Sequence, residues 1–219
     1  DGNLFLKEVF KKKASLAFVN KINKKEKKNQ QIKIKNTLDF LSNTSTLIRE
    51  NSLAKIVAIT GSCGKTSLKE LLANTFKKFS NVMYSPKSYN NKFGVPLSLF
   101  NLEQYHDYGV FEVGMDRKGE IDSLSKIIKP DIAVITNISY AHIKNFKNIR
   151  QIALAKSEII SNIKKGGSLV LNADDKFFKL HRKIAIQKKI KVYSFSLKKD
   201  GTNINLKGIK KLGKKFIIN

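Results

Sequence analysis

The stretch Ile56-Val57-Ala58-Ile59-Thr60-Gly61-Ser62-Cys63-Gly64-Lys65-Thr66-Ser67 decides how the rest of the chain is read. A short apolar run with the character of a buried strand enters a turn bounded by two glycines. Lys-Thr then opens a helical pattern that carries Leu68, Leu71, Leu72, Thr75, Phe76 and Phe79 as an apolar stripe. Glycines let a backbone turn its N–H groups onto phosphate oxygens, and a helix N-terminus adds a favourable dipole. In such a turn Lys65 reaches the β- and γ-phosphates and the Thr66 hydroxyl binds Mg²⁺. The commoner loop has a further glycine five residues before Gly64, where this chain has Ile59, so the motif is a shortened G-x-x-G-K-T. Gly61, Ser62, Cys63, Gly64, Lys65, Thr66 and Ser67 are the candidate phosphate-binding residues. The bland alternative is a strand–helix turn with a chance Lys-Thr, and the flanking elements weigh against it. Cys63 reads as a small residue tolerated in the loop, with oxidation sensitivity at a helix N-terminus as a minor hypothesis.

Outward from this motif, apolar strands alternate with helical patterns. The strands are expected at Ile56–Thr60, Val110–Val113, Ile132–Thr136, Ser168–Leu171 and Lys191–Phe195. The helices are expected at Thr66–Phe79, Gly119–Ile128, Ile149–Ile163 and Asp175–Ala185. Continuous apolar strands separated by helices define an α/β fold, a mostly parallel sheet with helices on both faces. Ligands of such sheets bind beyond the carboxyl ends of the strands. In Asn203–Asn219, Ile204-Asn205-Leu206 and Phe216-Ile217-Ile218 flank Gly208 and Gly213 and suggest antiparallel strands. The first fifty residues read as helix (Leu6, Val9, Phe10), strand (Ser15–Val19), solvated loop (Lys21–Gln31) and a helix capped by Asn36 with Leu38, Leu41 and Ile48 inside. That piece is expected to be the tail of a partial α/β domain, residues 1–51, ahead of the P-loop domain at 52–219.

The chain has 219 residues and 43 Lys+Arg against 17 Asp+Glu, a formal charge of +26. Only Arg49, Arg117, Arg150 and Arg182 are arginines, and the lysines are scattered through every segment. Nucleic-acid surfaces favour Arg and cluster their charge, so a compositional lysine bias is the preferred account of the excess and no nucleic-acid partner is expected. No apolar run approaches the roughly 20 residues that span a bilayer, so no membrane insertion is expected. One Cys excludes an internal disulfide and leans toward a reducing, cytoplasmic setting; three His with it exclude a zinc-finger framework. With no initiator Met and no signal-peptide pattern, the chain is expected to begin inside a longer polypeptide.

Further motifs resemble the Mur ligases, a family that joins amino acids or peptides to cell-wall precursors with ATP. Besides Thr60–Thr66, they are Asn90-Asn91-Lys92-Phe93-Gly94-Val95-Pro96, Phe111-Glu112-Val113-Gly114-Met115, Gly119-Glu120-Ile121, and Pro130–Asn137 with Ala141-His142. Ala155-Lys156-Ser157-Glu158-Ile159 and Leu171-Asn172-Ala173-Asp174-Asp175 follow in order. The Asn-Asn-x-x-Gly-Val-Pro segment resembles the member that adds D-alanyl-D-alanine, although Lys87-Ser88 stands where that member has Gly-Asn.

The resemblance implies Lys65, Glu112, His142 and Lys156 as catalytic residues, and Thr66, Glu112, His142 and Lys156 as holders of two Mg²⁺ ions. Lys156 would be carbamylated by CO₂, which requires a neutral amine and hence a depressed pKa. Asn137, Asn172 and Asp174 would join the loop in binding ATP, and Asn90 and Asn91 would meet substrate. UDP-MurNAc-peptide and D-Ala-D-Ala are the implied substrates, joined through an acyl phosphate, with a monomer expected. On the resemblance, the chain is expected to be a fragment without the family's C-terminal domain and the start of its first domain, and not to complete ligation alone. Three alternatives stand beside it: another Mur-type ligase, a nucleic-acid-associated P-loop NTPase, and a nucleotide-binding module without turnover.

Overall fold

A computed structural model describes residues 2–140, 143–198, 200–205, 209–212 and 215–218. Among the described residues, seven parallel strands form the main sheet in the order β4-β5-β3-β6-β7-β8-β9. They are β3 (Lys55–Thr60), β4 (Val82–Tyr84), β5 (Tyr108–Glu112), β6 (Ile132–Ile135), β7 (Ser168–Asn172), β8 (Lys191–Ser196) and β9 (Ile204–Asn205). The connecting helices are α3 (Lys65–Phe76), α4 (Gly94–Leu99), α5 (Glu120–Ile128), α6 (Ile149–Ser157) and α7 (Phe178–Gln187). Because side chains alternate along a strand, β3 serves two cores. Val57 and Ile59 pack with Val110 and Val134 under Leu68, Leu72 and Phe76 of α3. Ile56 and Ala58 face a larger cluster that includes Leu99, Leu124, Ile152 and Ala185 of the other helices. Both faces are therefore covered, which is why the strands read as unbroken apolar runs.

Several expectations need correction. On α3 the inner face runs through Leu68, Lys69, Leu72, Ala73 and Phe76, while Leu71 is 64% and Phe79 66% exposed. The helix ends at Phe76, so Phe79 has no helical register to hold it on the stripe. The Asn203–Asn219 segment does hold antiparallel strands, but with different partners than expected: Phe216–Ile218, in β11 (Lys215–Ile218), pair with β10 (Ile209–Leu212), while β9 extends the sheet in parallel beside β8. Leu206, Gly208 and Gly213 lie outside the described residues. Strand β4 was not expected; it is three residues long, too short to declare a period. The helix from Ile149 turns into a 3₁₀ segment over Glu158–Asn162.

Before the sheet, α1 (Leu6–Lys11) packs on β1 (Ala17–Val19), which pairs in parallel with β2 (Gln31–Lys33). The segment read as a solvated loop thus ends in a strand. Gln31 organises it: its amide accepts from Asn23 N at 2.9 Å and donates to Asn23 O and Glu26 O. Helix α2 (Thr37–Asn51) begins as expected, with Asn36 Oδ1 accepting from Leu38 N and Asp39 N. Its packing against α4 and α5 was not legible, because two polar residues anchor it. Ser45 Oγ donates to Pro96 O at 3.0 Å. The fully buried Arg49 guanidinium donates to Ile128 O at 2.7 Å, to Lys129 O and to Asp131 Oδ2 at 2.9 Å.

Asp131 Oδ2 also accepts from Ile56 N at 2.8 Å, so one ion pair ties α2, the end of α5 and the start of β3. Burial pushes the Arg49 pKa down while Asp131 pulls it up. Removing one partner of a buried pair costs about 3–5 kcal/mol, so Arg49→Met is expected to lower the unfolding free energy by that order. Chemical denaturation of the variant beside the parent chain checks it; a loss within the noise of a surface substitution counts against this anchoring role.

Candidate active site

Strands β5, β3 and β6 are neighbours, so the loops beyond their carboxyl ends open onto one rim. Register places Ile59 opposite Glu112 and Thr60 opposite Ile135. Glu112 follows Val110 by two residues and so faces the α3 side of the sheet. There the Thr66 hydroxyl donates to Glu112 Oε2 at 2.7 Å, and Asn90 Nδ2 donates to Glu112 Oε1 at 2.7 Å. Asn90 can come this close because Gly114 follows the strand: a Cβ there would meet the Asn90 amide at 2.8 Å. Glu112 is 2% exposed, with both carboxylate oxygens engaged.

Two ammonium groups converge on one carbonyl from opposite faces of the sheet. Lys65 Nζ donates to Gly61 O at 3.1 Å from α3, and Lys156 Nζ donates to the same oxygen at 3.0 Å from α6. Among the described residues neither has a carboxylate partner. Burial, then the charge of Lys65, lowers the Lys156 pKa to about 7, with a smaller opposing effect of Cys63. A substantial share of Lys156 is therefore neutral at physiological pH, the state in which an amine attacks CO₂.

The loop itself is held by the strand-end segment after β6. Gly61 has φ +147°, and a Cβ there would collide with the Thr136 side chain. Thr136 Oγ1 donates to Cys63 O at 2.7 Å. Asn137 uses both ends of its amide on the same residue, accepting from Cys63 N and donating to Cys63 O, each at 3.1 Å. Ser62 Oγ accepts from Ser139 N at 2.8 Å. Gly64, in a left-handed conformation, provides no side-chain cap for α3, so the first N–H groups of that helix are left to the loop's hollow.

These features fit a polyphosphate with Mg²⁺. The uncapped helix start and the Lys65 ammonium supply positive charge for the anion, with the partly neutral Lys156 beside them. Thr66 Oγ1 and Glu112 Oε2, joined by a hydrogen bond of 2.7 Å, are hard oxygen donors of the kind that would hold Mg²⁺. Beside them a cleft of about 1030 Å³ is lined by Lys65, Asn90, Asn91, Lys92, Arg117 and Glu120 among others.

The remaining expected residues are placed as follows. Asn91 lines the cleft and its Oδ1 accepts from Phe93 N and Gly94 N at the start of α4. Asn172 Oδ1 accepts from Asp174 N, and the Asp174 carboxylate accepts from Ser196 Oγ at the end of β8 and from Leu197 N just after it. Ser67 is exposed on α3 and Cys63 is an exposed free thiol. His142 lies outside the described residues. Sequence reasoning missed the fully buried Lys69 and Ser85, and it missed the Glu158 carboxylate, which accepts from Gly119 N and Asp122 N at the start of α5. No sequence signal separates Lys69 from dozens of surface lysines.

Sheet, glycine turn and clustered charges together define a P-loop nucleotide-binding α/β domain. Residues 59–217 match the Mur ligase middle domain, and the chain belongs to the Mur ligase family. It is 39% identical over 199 residues to the UDP-N-acetylmuramoyl-tripeptide--D-alanyl-D-alanine ligase of Buchnera aphidicola subsp. Acyrthosiphon pisum, covering 91% of this chain and 43% of that protein. It also resembles a crystal structure of MurF from Acinetobacter baumannii with a TM-score of 0.87 at 30% identity, over 100% of this chain and 46% of the other. MurF ligase from Thermotoga maritima in complex with ADP gives a TM-score of 0.80 at 27% identity, over 100% of this chain and 49% of the other. The chain spans less than half the length of each of these proteins. Among the described residues no helix is long and apolar enough to cross a membrane.

Proposed function

We propose that this chain is the ATP-handling part of a ligase that joins D-alanyl-D-alanine to UDP-N-acetylmuramoyl-tripeptide through an acyl phosphate. The observation that carries the reading is the rim around Gly61, where Lys65 and Lys156 meet and Thr66 is bonded to Glu112. Residues 52–219 form the ATP-binding unit in this reading, and residues 1–51 belong with a uridine-nucleotide-binding unit, in a cytoplasmic setting. Gly61 to Ser67 cradle the phosphates, while Asn137 fixes the loop and Asn172 and Asp174 lie toward the adenosine. Thr66 and Glu112 would hold one Mg²⁺, and His142 with a carbamylated Lys156 would hold a second. Those ions would supply charge neutralisation on the phosphates.

In the reaction, a carboxylate oxygen of the UDP-linked peptide bonds to the γ-phosphorus of ATP and the bond to ADP breaks. The amine of the dipeptide then bonds to the acyl carbon, phosphate leaves with the former carboxylate oxygen, and the amine gives up a proton. Lys65 neutralises the transferring phosphoryl group, and the start of α3 orients it. Asn90, bonded to Glu112 and lining the cleft, stands between nucleotide and acceptor sides.

Calorimetric titration of the 219-residue chain with ATP, once with Mg²⁺ and once with EDTA, tests the nucleotide part. Saturable binding strengthened by Mg²⁺ is the expected result; no binding in either condition refutes it. D-alanyl-D-alanine-dependent ADP release by the longer protein, absent with other dipeptides or single amino acids, tests the substrate part.

A further inference from the structure

We infer that Lys69 is a positioning residue: its buried ammonium locks the Ser85–Asn90 loop to α3 and thereby keeps Glu112 set between Thr66 and Asn90. The inference rests on the nucleotide reading above for its consequence, though not for its geometry. Lys69 is fully buried. Its Nζ donates to Ser85 O at 2.6 Å and to Lys87 O, and it lies 3.0 Å from Glu70 Oε1. An ammonium has three protons to donate, and three acceptors surround this one. Tyr84 adds its ring, 5.9 Å from the nitrogen to the centroid. A charge is tolerated so deep only when it is fully partnered, so the loop is as dependent on the lysine as the lysine is on the loop.

What the lysine grips leads to the site by short steps. Ser85 N donates to Val110 O at 3.0 Å, and Ser85 Oγ accepts from Glu112 N at 3.2 Å. Lys87, whose carbonyl is the second acceptor, sits at φ +46°, a left-handed conformation unfavourable for a residue with a Cβ. Such strain persists where surrounding bonds over-determine it. Three residues on, Asn90 donates to Glu112 Oε1 at 2.7 Å, and its own carbonyl accepts from Gly114 N at 2.8 Å. Lys69 is one helical turn from Lys65, so the same rigid segment carries the phosphate-binding lysine and the anchor of the acceptor-side loop. Glu112 is thus fixed at its backbone by Ser85 and at its carboxylate by Asn90 and Thr66, and the first two depend on where Lys69 holds the loop.

Lys69→Met tests this in the 219-residue chain, since Met keeps most of the volume and donates nothing. Trypsin cleaves after lysine, and the loop contains Lys87. With no nucleotide present, cleavage at Lys87–Ser88 is expected to be about tenfold faster in the variant, the factor that loss of one net hydrogen bond gives. A wild-type rate there overturns the clamp. The affinity for ATP in EDTA is expected to stay within about twofold, while the gain in affinity on adding Mg²⁺ shrinks about tenfold because Glu112 is no longer aligned. An undiminished gain with a released loop overturns the positioning role, since a merely structural lysine would not act selectively on the Mg²⁺-dependent part.

If Lys69→Met fails to fold, Ser85→Ala decides the matter. It deletes only the hydroxyl between loop and Glu112 N–H, and an unchanged Mg²⁺-dependent gain again overturns the inference. Absence of any ATP binding by the parent chain refutes the nucleotide reading and with it the positioning consequence, leaving the proteolysis result to judge the clamp alone.

Discussion

Lys65→Ala is expected to weaken ATP binding by this chain about 100-fold, because a charge-assisted bond to phosphate contributes up to about 3 kcal/mol and each 1.4 kcal/mol is tenfold. The effect is large because the replacement leaves the start of α3 intact but removes the Lys65 ammonium at the Gly61 carbonyl, where its neighbour Lys156 is partly neutral. It has a second, independent signature. The charge of Lys65 is a cause of the lowered Lys156 pKa, second to burial. Its removal is expected to raise that pKa, which nuclear magnetic resonance of isotopically labelled lysine side chains would detect without nucleotide. Wild-type affinity in the variant refutes the phosphate role of Lys65, and an unmoved Lys156 titration refutes the electrostatic coupling.

Lys156→Met is expected to leave the chain more stable at neutral pH while abolishing ligation in the longer protein. The sign follows from where the proton goes. The Lys156 pKa is about 7 in the fold against 10.5 for the unconstrained side chain. Between those values the unfolded chain binds more protons than the folded one, so stability falls as pH drops from about 10.5 to about 7 and is level below. Over that window this one group contributes a slope of about 1.4 kcal/mol per pH unit.

Removing the amine removes the slope, and the lost bond to Gly61 O, worth about 1 kcal/mol, offsets only part of the gain. A variant stabilised by about 3–4 kcal/mol at pH 7 is the outcome in view. Thermal unfolding of parent and variant across pH 7 to pH 10 measures it; parallel curves would contradict the burial of a titrating amine. A residue that weakens the fold and is nonetheless present fits a site where stability is exchanged for chemistry.

Much of this could be read directly. The run Ile56–Thr60, the glycine turn and the following Lys-Thr specify strand, loop and helix locally, because their apolar continuity, left-handed glycines and amphipathic pattern are properties of neighbouring residues. The Asn36 cap was legible for the same reason. Failures occurred where the determinant was distant. Strand β4 exists because β5 offers it an edge, and β9 lies parallel to β8 although its sequence suited a hairpin. Leu71 and Phe79 looked like core because periodicity fixes a stripe but not what covers it.

The candidate site divides along the same line. By itself the sequence determined the chemical kinds present: a phosphate turn, a carboxylate at a strand end, amides in loops and a lysine on an amphipathic helix. Only the tertiary structure decided that Lys65 and Lys156 reach one carbonyl from opposite sides of the sheet, that Asn90 and Thr66 share Glu112, and that Arg49 and Lys69 are interior cations. The physical reason is that a lysine's role is set by its surroundings. Charge in water is cheap and unspecific, whereas charge desolvated by residues far away in sequence must find partners, and which partners it finds is a property of the packed sheet rather than of the local chain.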